Sequence, residues 1–416
     1  MPSTGSATAD SFDAAVTGIG MVTAGGIGTA ATWERVCEAA GTAARHLPEL
    51  AGVTVDFACL VPGFDANELV GRRKAWRLDR CNHLAIAAAA EAVADAGLDT
   101  TAWDGARVGV VLGCGIGGAG SWEKNYELLR EGGPRKVSAT LIPMLAPNMS
   151  AGYVAMEIGA KGPNLVTATA CASGTTAVGV ARDLLRSGAC DVVVTGGTES
   201  CVIPSISAGF SQMGALSRRH DDITGASRPF DAGRDGFVMS EGAAVLVLER
   251  EADAAARGAR VRARVSGYGA SADAYNATAP DPQGAGAELA LRAALKDAGL
   301  GPQDIEHVNA HGTSTPLNDK TEARLIRRVL GEGPSVTSAK GVLGHSLGAT
   351  GAIEAALTVL TLERSFVPPT ANLESQDPEI DIDVVAKAGR EGPVRAAVSN
   401  SFGFGGQNAV LAFTAA

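Results

Sequence analysis

The segment VTATACASGTTAVGVARDLL, residues 166–185, joins a strand pattern to a helix pattern through one tight turn. Its first residues are β-branched and small, which is typical of a buried strand. Its last part has apolar residues at helical spacing, namely Ala177, Val178, Ala181, Leu184 and Leu185. Cys171 lies between the two patterns, and small residues follow it. The segment therefore predicts a strand, a turn and a helix, with a cysteine at the start of the helix.

Strand and helix patterns alternate along the whole chain, which predicts an α/β protein. Three segments of the first part have counterparts, in the same order, in the second. AAAEAVADAGL with ARVGVVLGCGIGG resembles LALRAALKDAGL with IEHVNAHGTST, the cysteine segment resembles SVTSAKGVLGHSLGATGAIEAALTVL, and RDGFVMSEGAAVLVLER resembles SNSFGFGGQNAVLAFTAA. We therefore predict a duplicated α/β unit, with halves at residues 13–255 and 256–416. The strand-to-helix loops of both halves would then meet at one face, where ligands bind in open α/β sheets.

Composition and charge narrow the class of protein. Residues 1–12 are small and polar, so we expect a flexible tail there, without the basic and apolar regions of a secretory signal. The uncharged run 14–32 has membrane length, but its Gly and Thr content predicts a strand, a loop and the start of a helix. We therefore expect no membrane association. The formal net charge of −10 argues against a nucleic-acid binder.

Two local basic stretches indicate where a protein partner could bind, and the cysteines indicate the cellular compartment. GRRKAWRLDR from Gly71 and GGPRK ending at Lys136 are candidate docking patches for an acidic protein, although each alone is also typical of ordinary surface. There are seven cysteines and no C-x-x-C. An odd number without that spacing argues against a disulfide framework or a zinc site. We expect a reducing, cytoplasmic compartment.

Cys171 is the candidate nucleophile. At a helix N-terminus it faces unpaired N–H groups and the positive end of the helix dipole, which favour the thiolate and can hold an oxyanion. The alternative is a buried small hydrophobe, which we favour for Cys37, Cys59, Cys190 and Cys201.

Two of the six histidines end corresponding strands. His311 follows IEHVNA, and His345 lies in KGVLGHSLGATG before an apolar helix. A cysteine with two histidines suffices for nucleophilic and acid–base or electrostatic catalysis. The other histidines, which lack such a setting, are expected to be structural: His46, His83, His220 and His307.

Four further features have a structural and a functional interpretation. Lys340 ends a strand, and D-x-x-E at Asp319 and Glu322 has capping-box spacing, the interpretation we favour for that pair. GCGIGG at residues 113–118 fits a dinucleotide fingerprint, but the acidic residue expected downstream is missing. SFGFGGQN at residues 401–408 is either a tight turn or a loop whose glycines let the backbone approach a ligand, with Phe404 as a gate.

Together these motifs resemble the elongating β-ketoacyl-acyl carrier protein synthases of the Cys-His-His kind. The matching motifs are TACASG, NAHGTSTPLND, AKGVLGHSLGATGAIE, RPFDAGRDGFVMSEGA and SNSFGFGG, and the resemblance runs from about residue 14 to the end. The chain is similar both to bacterial fatty-acid condensing enzymes and to the ketosynthase subunits of type II polyketide systems. The resemblance implies a thiolase-like α-β-α-β-α sandwich, usually dimeric, in which a decarboxylative Claisen condensation of malonyl-carrier protein elongates an acyl chain.

The resemblance also implies the roles of individual residues. Cys171 would carry the acyl group, and its N–H with that of Phe404 would form the oxyanion hole. His311 and His345 would stabilise the enolate, and Lys340 would support them. The remaining implied residues are Thr313 and Thr315 on the pantetheine arm, Ile116, Phe210 and Phe402 around the acyl chain, Glu354 and Asp319 as supporting groups, and Asn309, Glu354 and Asn400 around a structural monovalent cation.

The resemblance implies acyl carrier protein as the partner, with substrates on its phosphopantetheine, and neither a redox cofactor nor a catalytic metal. A homodimer and a heterodimer with a chain-length subunit both stay open, as do acyl chain length and pathway. Competing hypotheses are a nicotinamide oxidoreductase built on GCGIGG and a non-catalytic scaffold subunit. A thiolase would need a second cysteine in SFGFGG, and a chain-starting enzyme would have asparagine in place of His345.

Overall fold

A computed structural model of the chain describes residues 12–416. The predicted tail lies outside this range except for Phe12, whose carbonyl accepts a hydrogen bond of 2.6 Å from Arg182. The described strands are β1 (Ala14–Thr23), β2 (Gly26–Ile27), β3 (Arg45–His46), β4 (Phe57–Ala58), β5 (Val108–Gly113), β6 (Asn164–Thr167), β7 (Val192–Glu199), β8 (Gly242–Arg250), β9 (Ala263–Ala272), β10 (His307–Asn309), β11 (Ser335–Thr337), β12 (Phe366–Val367), β13 (Asp383–Val384), β14 (Arg390–Glu391), β15 (Ala396–Gly403) and β16 (Gln407–Ala415).

Helices separate most of these strands, as the alternating pattern predicts. The described α-helices are α1 (Thr29–Glu38), α2 (Arg72–Ala75), α3 (Arg80–Asp95), α4 (Ala119–Gly132), α5 (Leu141–Leu145), α6 (Met149–Ile158), α7 (Ser173–Arg186), α8 (Pro204–Gln212), α9 (Glu251–Ala256), α10 (Ala285–Ala298), α11 (Pro316–Leu330), α12 (Lys340–Leu343) and α13 (Thr350–Arg364). In residues 12–416, no helix combines the length and the apolar character that a membrane crossing requires.

The main sheet contains the same strand arrangement twice. Its order is β13-β11-β10-β15-β16-β9-β1-β8-β7-β5-β6, with β2 beside β1. Outward from β1, the pairings with β8, β7, β5 and β6 are antiparallel, antiparallel, parallel and parallel. Outward from β9, the pairings with β16, β15, β10 and β11 repeat that series. The structure thus confirms the predicted duplication, and β1 pairs with β9 where the two halves meet.

Helices cover both halves of the sheet and also fill the space between them. α3 and α6 pack on the first half, and α10 packs on the second half beside α11. α7 and α13 pack against each other and contact strands of both halves. Residues 350–362 of α13 are buried on every side, as expected for a helix that is apolar all round. The five layers are those of the predicted α-β-α-β-α sandwich.

The N-termini of the two central helices, α7 and α13, are in close contact. A Cβ atom at Gly174 would lie 2.5 Å from the backbone nitrogen of Ala352, and one at Gly351 would lie 2.1 Å from Thr175 Oγ1. Only glycine at both positions allows this approach. The loops that precede α7 and α13 are therefore adjacent, and they carry Cys171 and His345.

Candidate active site

The turn that carries Cys171 is strained and held by local hydrogen bonds. Ala170 has φ 49°, in the left-handed region that non-glycine residues rarely adopt. The Ser173 hydroxyl donates to the Ala170 carbonyl at 2.6 Å and accepts from the Thr169 N–H at 3.0 Å. Leu347, with φ 46°, occupies the corresponding turn before α13. Such strain persists where the surrounding structure fixes it, and it is frequent at active sites.

A cavity of about 600 Å³ opens at this turn. Its walls bring together the predicted catalytic residues Cys171, His311, His345 and Phe404 from both halves. They also include the predicted substrate-binding residues, namely Ile116, Phe210, Thr313, Thr315 and Phe402. The hydroxyl oxygens of the two threonines are 2.9 Å apart. The loops of both halves thus meet at one site, as the duplication predicted.

Burial and nearby positive or hydrogen-bond-donating groups have opposite effects on the pKa of the Cys171 thiol. Only 8% of the residue is exposed, and burial raises the pKa of the thiol to about 11. The positive charge of Lys340 and the backbone N–H of Phe404, which points at the sulfur, lower that pKa in part. Burial therefore opposes the thiolate that the helix N-terminus favours. The resting group is the thiol, and N–H donors already surround the position where negative charge would develop.

His311 is held by a buried lysine. The three protons of the Lys340 ammonium point to the His311 carbonyl, to Nδ1 of His311 at 3.5 Å, and to Glu354 Oε1. An ammonium can only donate, so Nδ1 accepts and the ring proton of His311 lies on Nε2. Burial, followed by the charge of Lys340, holds the pKa of His311 well below its usual value. His311 is thus a neutral hydrogen-bond donor toward the cavity.

The rings of His345 and His311 pack edge to face, with centroids 5.5 Å apart. Burial, followed by the charge of Lys340, also holds the pKa of His345 well below its usual value. The edge of Phe237 packs against His345 at 5.2 Å and against Phe210 at 5.5 Å. Phe237 is a cavity residue that the sequence interpretation missed, although it lies within the RPFDAGRDGF motif. Two neutral imidazoles in contact with each other thus line the same cavity as the Cys171 sulfur.

Comparison with known proteins shows the family of the chain over nearly its whole length. Residues 12–254 match the family Beta-ketoacyl synthase, N-terminal domain, and residues 262–374 match Beta-ketoacyl synthase, C-terminal domain. The chain is 43% identical over 402 residues to 3-oxoacyl-(acyl-carrier-protein) synthase 2 of Staphylococcus aureus, which covers 96% of this chain and 97% of that protein. The chain belongs to the β-ketoacyl synthase family.

Solved structures of polyketide ketosynthases are similar as well. The ishigamide ketosynthase/chain length factor has a TM-score of 0.90 at 34% identity, covering 98% of this chain and 100% of that chain. A type II polyketide ketosynthase solved in complex with its acyl-carrier protein has a TM-score of 0.90 at 30% identity, with the same coverage. These matches confirm the predicted family, the thiolase-like fold and the assignment to the condensing acyltransferases of chain elongation.

In this β-ketoacyl synthase, the capping interpretation of Asp319 and Glu322 is wrong. Thr315 occupies the N-cap position of α11 without a side-chain capping hydrogen bond, and both acidic residues lie inside the helix and are buried. Glu322 accepts the N–H groups of His311 and Gly312, each at 2.8 Å, so it holds the backbone of the histidine loop. Helical periodicity could have revealed this position, because the two acidic residues share a helix face with buried apolar residues of α11.

Asp319 supports the same loop indirectly. Its carboxylate accepts the N–H of Phe230 at 2.8 Å, and Arg234 Nε lies 3.6 Å from the same oxygen. Phe230 has φ 65° and packs against Gly312, where a Cβ atom would lie 3.2 Å from the Phe230 ring. Asp319 is therefore linked to the histidine loop through Phe230, and its supporting role stays a prediction.

The GCGIGG loop has no free cradle for a pyrophosphate. The Glu199 carboxylate accepts the N–H groups of Gly115 at 2.7 Å and of Ile116 and Gly117 at 3.3 Å. A side chain of the protein thus occupies the donors that a dinucleotide would need. Glu199 ends β7 and was missed, although its position at the carboxyl end of a buried strand was a signal. The loop instead fixes Ile116 in the cavity wall.

The predicted cation site contains the unpaired oxygens that a cation would need. Among the described residues, Asn309 Oδ1, Asn400 Oδ1 and Glu354 Oε2 are buried without a hydrogen-bond partner. Both amide nitrogens are already used: Asn309 donates to the Glu354 carbonyl at 3.3 Å, and Asn400 donates to Glu322 at 3.1 Å. Unpaired buried oxygens require an explanation, and an ion is one of the few available. The three residues fit a monovalent cation.

Proposed function

We propose that this β-ketoacyl synthase extends acyl chains by two carbons, with Cys171 as the carrier of the growing chain. The observation that supports this proposal is the meeting of Cys171, His311 and His345 in one cavity, with the Phe404 N–H directed at the sulfur. The intact cysteine disfavours a scaffold subunit. The substrate is an acyl group on the phosphopantetheine of a carrier protein, and the products are a 3-ketoacyl-carrier protein and carbon dioxide.

In the first step the sulfur of Cys171 attacks the acyl thioester. A carbon–sulfur bond forms to Cys171, the bond to pantetheine breaks, and the thiol proton passes to the departing pantetheine sulfur. The backbone N–H groups of Cys171 and Phe404 hold the oxyanion of the tetrahedral intermediate. Ile116, Phe210 and Phe402 contact the acyl chain, and Thr313 and Thr315 hold the pantetheine arm.

In the second step malonyl-carrier protein enters and loses carbon dioxide. The electron pair of the broken carbon–carbon bond forms a thioester enolate, whose oxygen accepts hydrogen bonds from His311 and His345. The enolate carbon attacks the acyl carbon, the oxyanion collapses, and the Cys171 thiolate leaves and regains a proton from solvent. Neutral histidines serve this step because they donate without giving up a proton. Lys340 and Glu322 keep His311 in place.

Asn309, Asn400 and Glu354 would hold a monovalent cation when one is bound. Carboxylate and carbonyl oxygens are the ligands of hard cations in proteins. The cation would supply charge balance behind the site, where Glu354 bonds Lys340 and Asn400 bonds Glu322. Neither a redox cofactor nor a catalytic metal enters the proposed reaction.

The proposed partner is an acidic acyl carrier protein. The solved relative in complex with its own carrier protein supports this proposal. Both basic stretches singled out in the sequence are exposed and stay candidates for docking: Arg72 and Arg73 in one, Arg135 and Lys136 in the other. The seven free cysteines support a reducing, cytoplasmic compartment.

We further propose that the chain forms a homodimer through the β6 end of the sheet. β6 is the last strand of the sheet order, so its outer edge has no partner among the described residues. The adjoining elements expose large apolar side chains, namely Trp122, Tyr126, Leu129, Ile142, Met156 and Leu165. A bare apolar edge is typical of an interface. The alternative is a heterodimer with a chain-length subunit, for which the ishigamide protein is a precedent.

Intact-mass analysis of the carrier protein tests the proposal. The purified chain is incubated with acyl- and malonyl-carrier proteins, and we expect a 3-ketoacyl product two carbons longer. Cys171→Ala should give no product with the fold retained, and the buried Cys201→Ala is the matched control. Acyl-enzyme without elongated product would indicate a subunit that needs a partner chain. Failure to form acyl-enzyme with any starter would overturn the proposal.

A further inference from the structure

Nδ1 of each cavity histidine has a buried hydrogen-bonding neighbour. Lys340 Nζ lies 3.5 Å from Nδ1 of His311, and Thr350 Oγ1 lies 2.9 Å from Nδ1 of His345. Lys340 determines the tautomer of His311, because an ammonium group can only donate a hydrogen bond. A hydroxyl can donate or accept, so the tautomer of His345 depends on where the Thr350 proton points.

Ser346 determines the direction in which the hydroxyl proton of Thr350 points. Its hydroxyl lies 3.0 Å from Thr350 Oγ1, and both residues are buried. Among the described residues, Thr350 is the one hydrogen-bond partner of the Ser346 hydroxyl. If Ser346 donates to Thr350 and Thr350 donates to His345, both hydroxyl protons have an acceptor. In the reverse direction the Ser346 proton would be buried without one, which is the costlier arrangement.

We propose that Thr350, oriented by Ser346, is a positioning residue that keeps the ring proton of His345 on Nε2. His345 then donates to the enolate oxygen, as His311 does under the control of Lys340. The role rests on the proposed function, because a proton on Nε2 matters for enolate formation and not for loading of Cys171. It also requires a neutral ring, and burial favours one, since it lowers the pKa of His345.

The position of Thr350 in the fold supports this role. Thr350 is the first residue of α13, beside the turn in which Leu347 has φ 46°. The positive end of the α13 dipole disfavours a second proton on the imidazole. Because Nδ1 of His345 is hydrogen-bonded to Thr350, Nε2 is the ring nitrogen that remains available to a substrate in the cavity. The hydroxyl therefore controls the atom that faces the substrate.

Thr350→Val tests the proposal, because valine keeps the shape and removes the hydroxyl. We expect malonyl decarboxylation by the acyl-enzyme to fall roughly 10- to 100-fold, by analogy with the loss of a hydrogen-bond partner that orients a metal-ligating imidazole. Acylation of Cys171 should stay within about two-fold of the parent. Thr350→Ser should restore most of the decarboxylation rate. Thr361→Val, a buried threonine on the same helix, is the matched control.

Imidazole ¹⁵N chemical shifts provide a readout that needs no turnover. The His345 signals, assigned by their loss in His345→Asn, should indicate Nε2–H in the parent and in Thr350→Ser, and a mixture of tautomers in Thr350→Val. An Nδ1–H tautomer in the parent, or parental decarboxylation by Thr350→Val, overturns the proposal. If the parent does not condense but has the Nε2–H tautomer, the proposed function fails and the assignment of Thr350 stands. Should Thr350→Val not fold, Ser346→Ala replaces it, with a smaller loss in the same step expected.

Discussion

At the residue scale, Cys171, the proposed nucleophile, is a buried thiol rather than a permanently ionised thiolate. Burial raises its pKa, and the charge of Lys340 and the Phe404 N–H offset part of that effect. The same donors stabilise negative charge on an oxyanion, so they are useful chiefly when charge forms in the reaction. An enzyme that waits for a bulky carrier protein gains from a thiol that is unreactive until a thioester enters the pocket.

The pH dependence of alkylation at Cys171 tests this view. Since the pKa is raised to about 11, the thiolate fraction and the rate with iodoacetamide should keep rising between about pH 7 and about pH 9. Lys340→Met removes a positive charge that lowers this pKa, so alkylation should become slower across that range, whereas Lys340→Arg should stay near the parent. Mass mapping of Cys171 gives the rates. A plateau below about pH 8 would contradict the burial argument.

Residues whose role follows from local pattern could be predicted, and residues whose role follows from tertiary burial could not. Cys171 and His311 follow the ends of β6 and β10 within a few residues, as the sequence predicts, whereas α12 lies between β11 and His345. Glu322 has the spacing of a helix cap, and only the packing of α11 against the histidine loop reveals its two hydrogen bonds to backbone N–H groups. The orientation of the Thr350 hydroxyl depends in the same way on a neighbour that sequence spacing does not identify.

At the scale of elements, the active site depends on close contacts between backbones. The hairpin of β15 and β16 presses its end against the cysteine turn, and a Cβ atom at Gly403 would lie 2.6 Å from the Thr169 carbonyl and 3.1 Å from the Cys171 nitrogen. Gly403 of the SFGFGG motif therefore lets the backbone N–H of Phe404 come close to the Cys171 sulfur. The same motif forms the tight turn between β15 and β16, which was the alternative structural interpretation of the sequence.

Gly403→Ala should separate these two backbones. We expect a loss of stability of about 1–3 kcal/mol from overpacking. We also expect a fall in Cys171 acylation of roughly 10-fold or more, because the oxyanion hole loses a donor. Rates of acyl-enzyme formation and urea denaturation provide the two numbers. Gly333→Ala, where a Cβ atom meets open space, is the control. Unchanged acylation in Gly403→Ala would show that the Phe404 N–H is dispensable.

The helix behind Cys171 is anchored at its far end by a buried arginine. Arg182 on α7 donates to the carbonyls of Val265 at 3.1 Å and Ser266 at 2.7 Å, and its Nη1 lies 2.6 Å from Asp297 Oδ2. These partners lie on β9 and α10, so one side chain connects α7, the helix that follows Cys171, to the other half. This role could not be predicted from the sequence, because an arginine in an amphipathic helix is ordinarily on the surface.

Arg182→Met should destabilise the protein by roughly 3 kcal/mol or more, since it leaves buried carbonyls unpaired and removes the partner of an acid. Arg186→Met is a close control, because Arg186 lies one turn away, bonds the same Asp297 at 3.1 Å and is exposed. A surface pair of that kind contributes at most about 1 kcal/mol. Chemical denaturation compares the two variants. Equal destabilisation by Arg182→Met and Arg186→Met would show that the burial of Arg182 does not determine its contribution to stability.

At the scale of the whole molecule, the continuous sheet ends differently at its two edges. β13, a strand of two residues, closes one edge, and short edge strands resist pairing with other chains. β6 forms the other edge, and its exposed Leu165 adjoins the apolar surface of α4, α5 and α6.

Leu165→Lys tests the proposed homodimer. A lysine on an edge strand opposes pairing with a second copy, because the charge would be buried between two apolar surfaces. We expect the parent to sediment as a dimer at micromolar concentration and Leu165→Lys to sediment as a monomer with a lower melting temperature. Leu289→Lys, on an exposed position of α10, introduces the same charge away from this edge and should leave the dimer intact. A dimeric Leu165→Lys would exclude β6 as the interface. A monomeric parent would exclude the homodimer and favour a chain-length partner, whose addition should then convert acyl-enzyme into elongated product.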